Sequence, residues 1–213
     1  MGVIVIATKL RDCTVLYMDG TFKSCTRPYT QFLTIHGLFH GRCLSLVMAL
    51  MTERTIAAYR QIFKQAKAKV RRLTGHRLRP RRIVMDFVVS LITATETEFR
   101  GATISGCYFH FCQSLWRRIR YVGLAAAYRK VRSLKKFLRL IMAIGYLPVA
   151  LVRLNFQELV SRDSSQRQIG RYPALRDFMR NMELNYVNPD VTFPIRMWNV
   201  YEREQRHSDQ QSR

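Results

Sequence analysis

Acidic residues are scarce. Of 213 residues, 14 are Asp or Glu and 36 are Lys or Arg, which gives a formal charge of +22. The isoelectric point is near 10.7. That imbalance is large for an ordinary soluble enzyme and points to a polyanionic partner, with nucleic acid the first reading and a membrane surface the rival. Long hydrophobic runs are also lacking. The longest uncharged apolar run, Leu140 to Val152, is interrupted by Gly145 and Pro148 and is too short to span a bilayer, so no membrane partner is expected. No basic leader or cleavage site marks residues 1–8, which read as a strand or a truncated start and not as a secretory signal. The five cysteines (Cys13, Cys25, Cys43, Cys107 and Cys112) are an odd number, which argues for free thiols in a reducing compartment. There is no internal repeat, and beyond the polar tail from Glu202, expected to be frayed, no low-complexity tract.

Apolar residues are not lacking. At 48% hydrophobic the chain can build a packed core, and its length suits one sizeable domain or a domain with a large insertion. The run Val15-Leu16-Tyr17-Met18 leads straight into Asp19, so a strand over 14–19 is expected to end in a turn at Asp19-Gly20. Apolar segments at 29–39 and 43–51, rich in β-branched and aromatic residues and parted by a His40-Gly41 turn, complete a three-stranded antiparallel meander.

From Thr55, an N-cap candidate along with Thr52, the period changes. Ile56, Tyr59, Phe63, Ala66 and Val70 fall at helical spacing. Ile83-Val84-Met85 form a fourth strand that delivers Asp86; a helix to about Phe99, a short strand at 102–106 and a helix from Tyr108 follow. A meander followed by alternating strand and helix predicts an α/β mixed sheet in the order βββαβαβ. After Gly123 the pattern is helical, with helices expected at 131–144, 149–160 and 174–184.

Two strands therefore deliver an aspartate each, Asp19 and Asp86. If those strands are neighbours, the carboxylates converge and repel unless a cation lies between them. Mg²⁺ or Mn²⁺ suits such oxygen donors and serves phosphoryl chemistry. On the Asp19-Gly20 pair alone, the turn-opener reading of Asp19 comes first. Cys107 and His110 form a C-x-x-H pair on one helical turn, half of a zinc site. No second pair of ligand spacing exists, so zinc is not expected, and a buried Cys beside a hydrogen-bonded His is the preferred reading. His36, in mid-strand, reads as a satisfied core or edge residue.

The stretches YMDGTFKSC (17–25), FLTIHGL (32–38), RRIVMDF (81–87), GATISGCYFHFCQSLWRRI (101–119) and WNVYE (198–202) resemble the Mutator-like element (MULE) transposase domain. The resemblance is dense from about Thr14 to Tyr128, thin through the helical block, and resumes at Trp198. It implies an RNase H-like fold of the DDE transposase superfamily, interrupted by a helical insertion, and metal-dependent strand cleavage and transfer of DNA in the nucleus. By the same resemblance Asp19 and Asp86 are the first two acids of an Asp-Asp-Glu triad holding Mg²⁺ or Mn²⁺, and Cys107 and His110 are the family's C-x-x-H motif. The implied division is a catalytic core at 1–122, an insertion at 123–197 and a return segment at 198–213. Two departures stand out. Val88 occupies a position where the family has an acid. Neither Glu202 nor Glu204 has the Asn-Asn-x-x-Glu context of the third acid, so the triad is expected to be incomplete. The zinc finger often placed before this domain is also not found.

The cations are grouped. Between Arg60 and Arg82 there are ten Lys or Arg and no acid, with Arg60, Lys64, Lys67 and Arg71 on one helical stripe. Trp116–Leu140 carries nine, including Arg117, Arg118, Lys135 and Lys136, again with no acid. Such stripes are expected to track DNA phosphates, although a charge run is commonly just a solvated helix face. No base-reading motif is visible. Trp116, Tyr121 and Trp198 are expected to pack in the core before they stack on bases. A homo-oligomer is compatible with these features. A basic DNA-binding module without catalysis is the alternative to an active transposase.

Overall fold

The computed structural model describes residues 2–21, 25–39 and 42–203. The chain divides into two compact units, Met1–Gly106 and Cys107–Arg213.

The first unit is built on a mixed six-stranded sheet of order β1-β4-β3-β2-β5-β6. The strands are β1 (Gly2–Val5), β2 (Val15–Thr21), β3 (Gln31–Phe39), β4 (Arg42–Met51), β5 (Arg82–Met85) and β6 (Thr103–Gly106), with helices α1 (Ala7–Arg11), α2 (Ile56–Thr74) and α3 (Val89–Glu98). The meander expected at 14–51 is present as β2-β3-β4, with antiparallel pairs throughout. β1 adds a fourth antiparallel strand beside β4. The helix α1 was not legible, because five residues are too few to display a period. β2 and β5, and β5 and β6, pair in parallel.

Asp19-Gly20 is not a turn: β2 continues to Thr21, with Asp19 opposite Thr34 and Gly20 opposite Leu33. β3 is long enough to supply ladder partners on past the aspartate, and that pairing overrides the local turn preference of Asp-Gly. The His40-Gly41 turn and the tail beyond residue 203 lie outside the described residues.

Alternation along β2 sends Leu16 and Met18 into the core with Leu33, Ile35, Ile83 and Met85. α2 covers this face with Tyr59, Ile62, Phe63, Ala66 and Val70, whereas Ile56, expected on the same stripe, is 41% exposed. Burying each large side chain contributes roughly 1.5–3 kcal/mol. The helix starts at Thr55, whose hydroxyl accepts from Ala58 N at 3.2 Å. It ends at Gly75, whose φ of 73° lets the chain turn off in the left-handed region.

α2 is tied to α3 through Glu98, whose side chain is 7% exposed. Arg60 Nε donates to its Oε1 at 2.9 Å, and Lys67 Nζ donates to Oε2 and to the backbone carbonyl. Burial pushes the Glu98 carboxyl up, but the bonds from Lys67 and Arg60 outweigh it and hold the pKa below the ordinary 4.5.

The second unit is helical, as expected: α4 (Tyr108–Tyr121), α5 (Ala125–Lys130), α6 (Arg132–Ala143), α7 (Val149–Ser161), α8 (Asp163–Arg171), α9 (Ala174–Met182) and α10 (Ile195–Trp198). The short helices α5, α8 and α10 were not anticipated. The division at 106/107 falls one helix earlier than the 122/123 boundary expected from the sequence. α4 buries Phe111, Leu115 and Ile119 on one stripe. Phe111 stacks on Trp198 with ring centroids 4.5 Å apart. The WNVYE segment thus closes this helical core: Trp198 is fully buried and donates from Nε1 to Tyr186 O at 3.2 Å, and Asn199 donates to Leu147 O. Gly145 is required there, because a Cβ would meet Tyr108 at 2.9 Å and the Trp198 ring at 3.5 Å.

Trp198→Ala is expected to cost about 3–5 kcal/mol of stability, measured by denaturant unfolding. Glu98→Gln is expected to cost about 1–2 kcal/mol at neutral pH, since its partners are partly solvated. Because the folded carboxyl has the lower pKa, that advantage is present above pH 4.5 and drains away as pH falls through the depressed value. Melting curves of wild type and variant are expected to converge in acid.

Candidate acidic pair and basic surfaces

The site begins with the β2–β5 register. Val15 lies opposite Arg82, Leu16 opposite Ile83 and Tyr17 opposite Val84. If this register is continued two residues beyond its last pair, past the end of β5 at Met85, Asp19 falls level with Asp86. Leu16, Met18, Ile83 and Met85 all belong to the core cluster. Asp19 therefore projects from the other face of β2, and Asp86 directly follows the last residue of β5. Asp86 is 8% exposed, at the carboxyl end of β5.

Each carboxylate is felt by a neighbour. The Tyr59 phenol donates to Gln31 Oε1 at 2.7 Å, and burial, reinforced by the Asp86 charge, pushes its pKa up to about 12. Burial pushes His36 down, while the Asp19 charge opposes the shift.

His36 belongs to a chain of hydrogen bonds that reaches the Asp19 backbone. Thr34 Oγ1 donates to Asp19 O at 3.3 Å, and it lies 2.8 Å from His36 Nε2. With its proton committed to the carbonyl, Thr34 accepts from Nε2–H. His36 Nδ1 then accepts from Ser45 Oγ at 3.0 Å. The order of donors requires the neutral Nε2–H tautomer, in agreement with the direction of the pKa shift. This support was not visible from spacing, because Thr34, His36 and Ser45 meet only through the meander register.

Two carboxylates are hard oxygen donors. They fit Mg²⁺ or Mn²⁺, which need only one or two protein carboxylates and complete their shells with water and phosphate. Among the described residues no group of three His, Cys, Asp or Glu could hold a metal ion. Glu202 joins no such group.

In the second unit, Cys107 is the residue that caps α4 and His110 lies in its first turn. Burial raises the Cys107 thiol, but hydrogen bonding to the His110 ring and to the His110 and Phe109 backbone more than offsets this, and the net shift is downward.

The cationic stripes separate on inspection. Arg60 and Lys67 are engaged by Glu98, an acid brought in by α3 and invisible within the acid-free run. Lys64 and Arg71 are exposed. Arg117 is exposed, whereas half-buried Arg118 reaches Asp177 O at 3.5 Å and lies 4.9 Å from the Tyr121 ring centre. Lys135 and Lys136 line a cleft of about 840 Å³ with Arg132 and Arg139. Trp198 is buried and Trp116 packs on Tyr128, but Tyr121 is 80% exposed, contrary to the expected core position.

A titration of the His36 ring by NMR is expected to give a midpoint below 6.5. Because the folded state disfavours the imidazolium, this group's contribution to stability is lost as pH falls below 6.5.

Residues 15–114 match the family model of the MULE transposase domain. No curated protein and no solved structure matches the chain. Among the described residues no helix is long and apolar enough to cross a membrane. The matched segment contains both aspartates and the C-x-x-H pair, and across residues 15–114 this chain carries a MULE transposase domain.

Proposed function

We propose that this chain acts on DNA in a transposition-related reaction, with Asp19 and Asp86 as the metal-holding acids of an RNase H-like core. The observation that supports the reading is the parallel pairing of β2, which carries Asp19, with β5, which Asp86 directly follows, both within the matched segment. Asp19 and Asp86 would hold Mg²⁺ or Mn²⁺, and the chemistry supplied there is stabilisation of charge on phosphodiester oxygens. The residues of the chain do the positioning. The ladder between β2 and β3 holds Asp19 in mid-strand, and the Thr34–His36–Ser45 chain steadies its peptide. Asp86 lies largely withdrawn from solvent at the end of β5. The exposed cations Lys64, Arg71, Arg117, Lys135 and Lys136 are the phosphate contacts of this reading, with Arg60, Lys67 and Arg118 contributing in part from their intrachain pairings. In this reading the helices after Cys107 contain the family's insertion, and the setting is nuclear.

A second reading, DNA binding without catalysis, is favoured by one observation: among the described residues no third ligand joins the two acids. It ranks first for the chain acting alone.

Calorimetric titration with Mg²⁺ or Mn²⁺ separates the two. Binding by the wild type that is lost in both Asp19→Ala and Asp86→Ala is the expected outcome. No binding by a well-folded wild type would sink the metal reading and leave the non-catalytic one. Cleavage of duplex DNA that disappears in Asp19→Ala would establish catalysis.

A further inference from the structure

The first unit has a cleft of about 880 Å³ whose lining includes neither Asp19 nor Asp86. Its walls are the carboxyl-terminal half of α2, the 77–81 connection into β5 and the turn between α3 and β6. Six cations line it: Lys67, Arg71, Arg77, Arg79, Arg81 and Arg100. The single acid in the lining, Glu98, already holds Lys67 and Arg60. Among the described residues, the guanidinium groups of Arg71, Arg77, Arg79, Arg81 and Arg100 enter no ion pair.

The 77–81 connection is built to display its charges. Leu78 and Pro80 are buried, while Arg77, Arg79 and Arg81 are exposed. Its end is anchored to the sheet, where Arg81 N donates to Thr14 O at 2.7 Å. Two residues of extended chain cover at most about 7 Å, so the three arginines form a row up to roughly 14 Å long. One phosphate does not satisfy such a row, whereas a polymer with one phosphate per residue does. Guanidinium forks suit phosphate oxygens in a bidentate manner. Crowding like charges around one cleft is unfavourable until an anion enters it.

The cleft lies where β5 and β6 begin, and Asp86 lies where β5 ends. Four residues of strand, about 13 Å, separate the two places. We propose that this cleft is a second DNA site, one that grips the sugar-phosphate backbone of a flanking segment without taking part in chemistry. The proposal rests on the DNA-directed reading above, but not on the metal or on catalysis.

The test uses the full chain and fluorescence anisotropy with a labelled duplex across a salt series. The variants are the combined Arg77→Ala, Arg79→Ala, Arg100→Ala and, as an equal-charge control, the combined Arg167→Ala, Arg171→Ala, Arg176→Ala. Thermal melting checks that both fold. Each lost phosphate contact removes about 0.9 from the slope of log K against log salt. The cleft variant is expected to have a slope shallower by about 2–3, with the control close to wild type. Equal slopes for wild type and cleft variant overturn the proposal while leaving the DNA reading intact. An equal fall in the control also overturns it, because the effect is then diffuse charge. No DNA binding by the wild type at low salt sinks both. If sodium tripolyphosphate raises the melting temperature of wild type but not of the cleft variant, and the DNA slopes are equal, the cleft takes a compact polyphosphate and the proposal fails.

Discussion

The parallel pairing of β2 with β5 is the contact on which the rest of the first unit depends. It joins the antiparallel meander to the strand–helix half of the sheet, and it does so between residues 67 positions apart in the chain. A slip of one residue would turn Ile83 and Met85 out of the core and carry Asp86 to the opposite face. The apolar alternation of β5 and the placement of its acid are therefore one constraint. The packing that keeps Ile83 and Met85 under α2 and α3 also holds Asp86 beside the strand that carries Asp19.

α2 serves two purposes through its two faces. One face buries Tyr59, Ile62, Phe63, Ala66 and Val70 on the sheet. The other carries the cations, and Glu98 from α3 divides them into two kinds. Arg60 and Lys67 spend their charge within the fold, holding two helices together. Arg71, one turn on from Lys67, remains open to solvent and borders the cleft at the amino end of β5. A charge run that looks uniform along the chain is thus partly structural and partly available to a ligand.

The second unit rests on aromatic packing. Phe111 of α4, Tyr186 and Trp198 form one cluster, with the indole sealed against Phe111 and its N–H satisfied by a backbone carbonyl. This explains why α4 divides with the helices that follow it. It also assigns Trp198 a structural role and leaves Tyr121 as an aromatic residue on the basic surface.

Local pattern alone determined a good deal here. The apolar runs at 15–18 and 29–39 and the helical period from Thr55 were legible because each depends on which residues must be hidden, and that is written into neighbouring positions. The strands and the long helices followed from it. The continuation of β2 through Asp19-Gly20 was not legible, because it depends on ladder partners in β3. The Thr34–His36–Ser45 chain and the capture of Arg60 and Lys67 by Glu98 were hidden for the same reason, as were α4's partners. The row Arg77, Arg79, Arg81 was present in the sequence as an alternation with Leu78 and Pro80, but only the fold brings Arg71 and Arg100 to the same cleft. Burial pattern is a property of adjacent residues, whereas hydrogen-bond and charge partners come from distant ones, so only the tertiary structure decided how the polar groups are used.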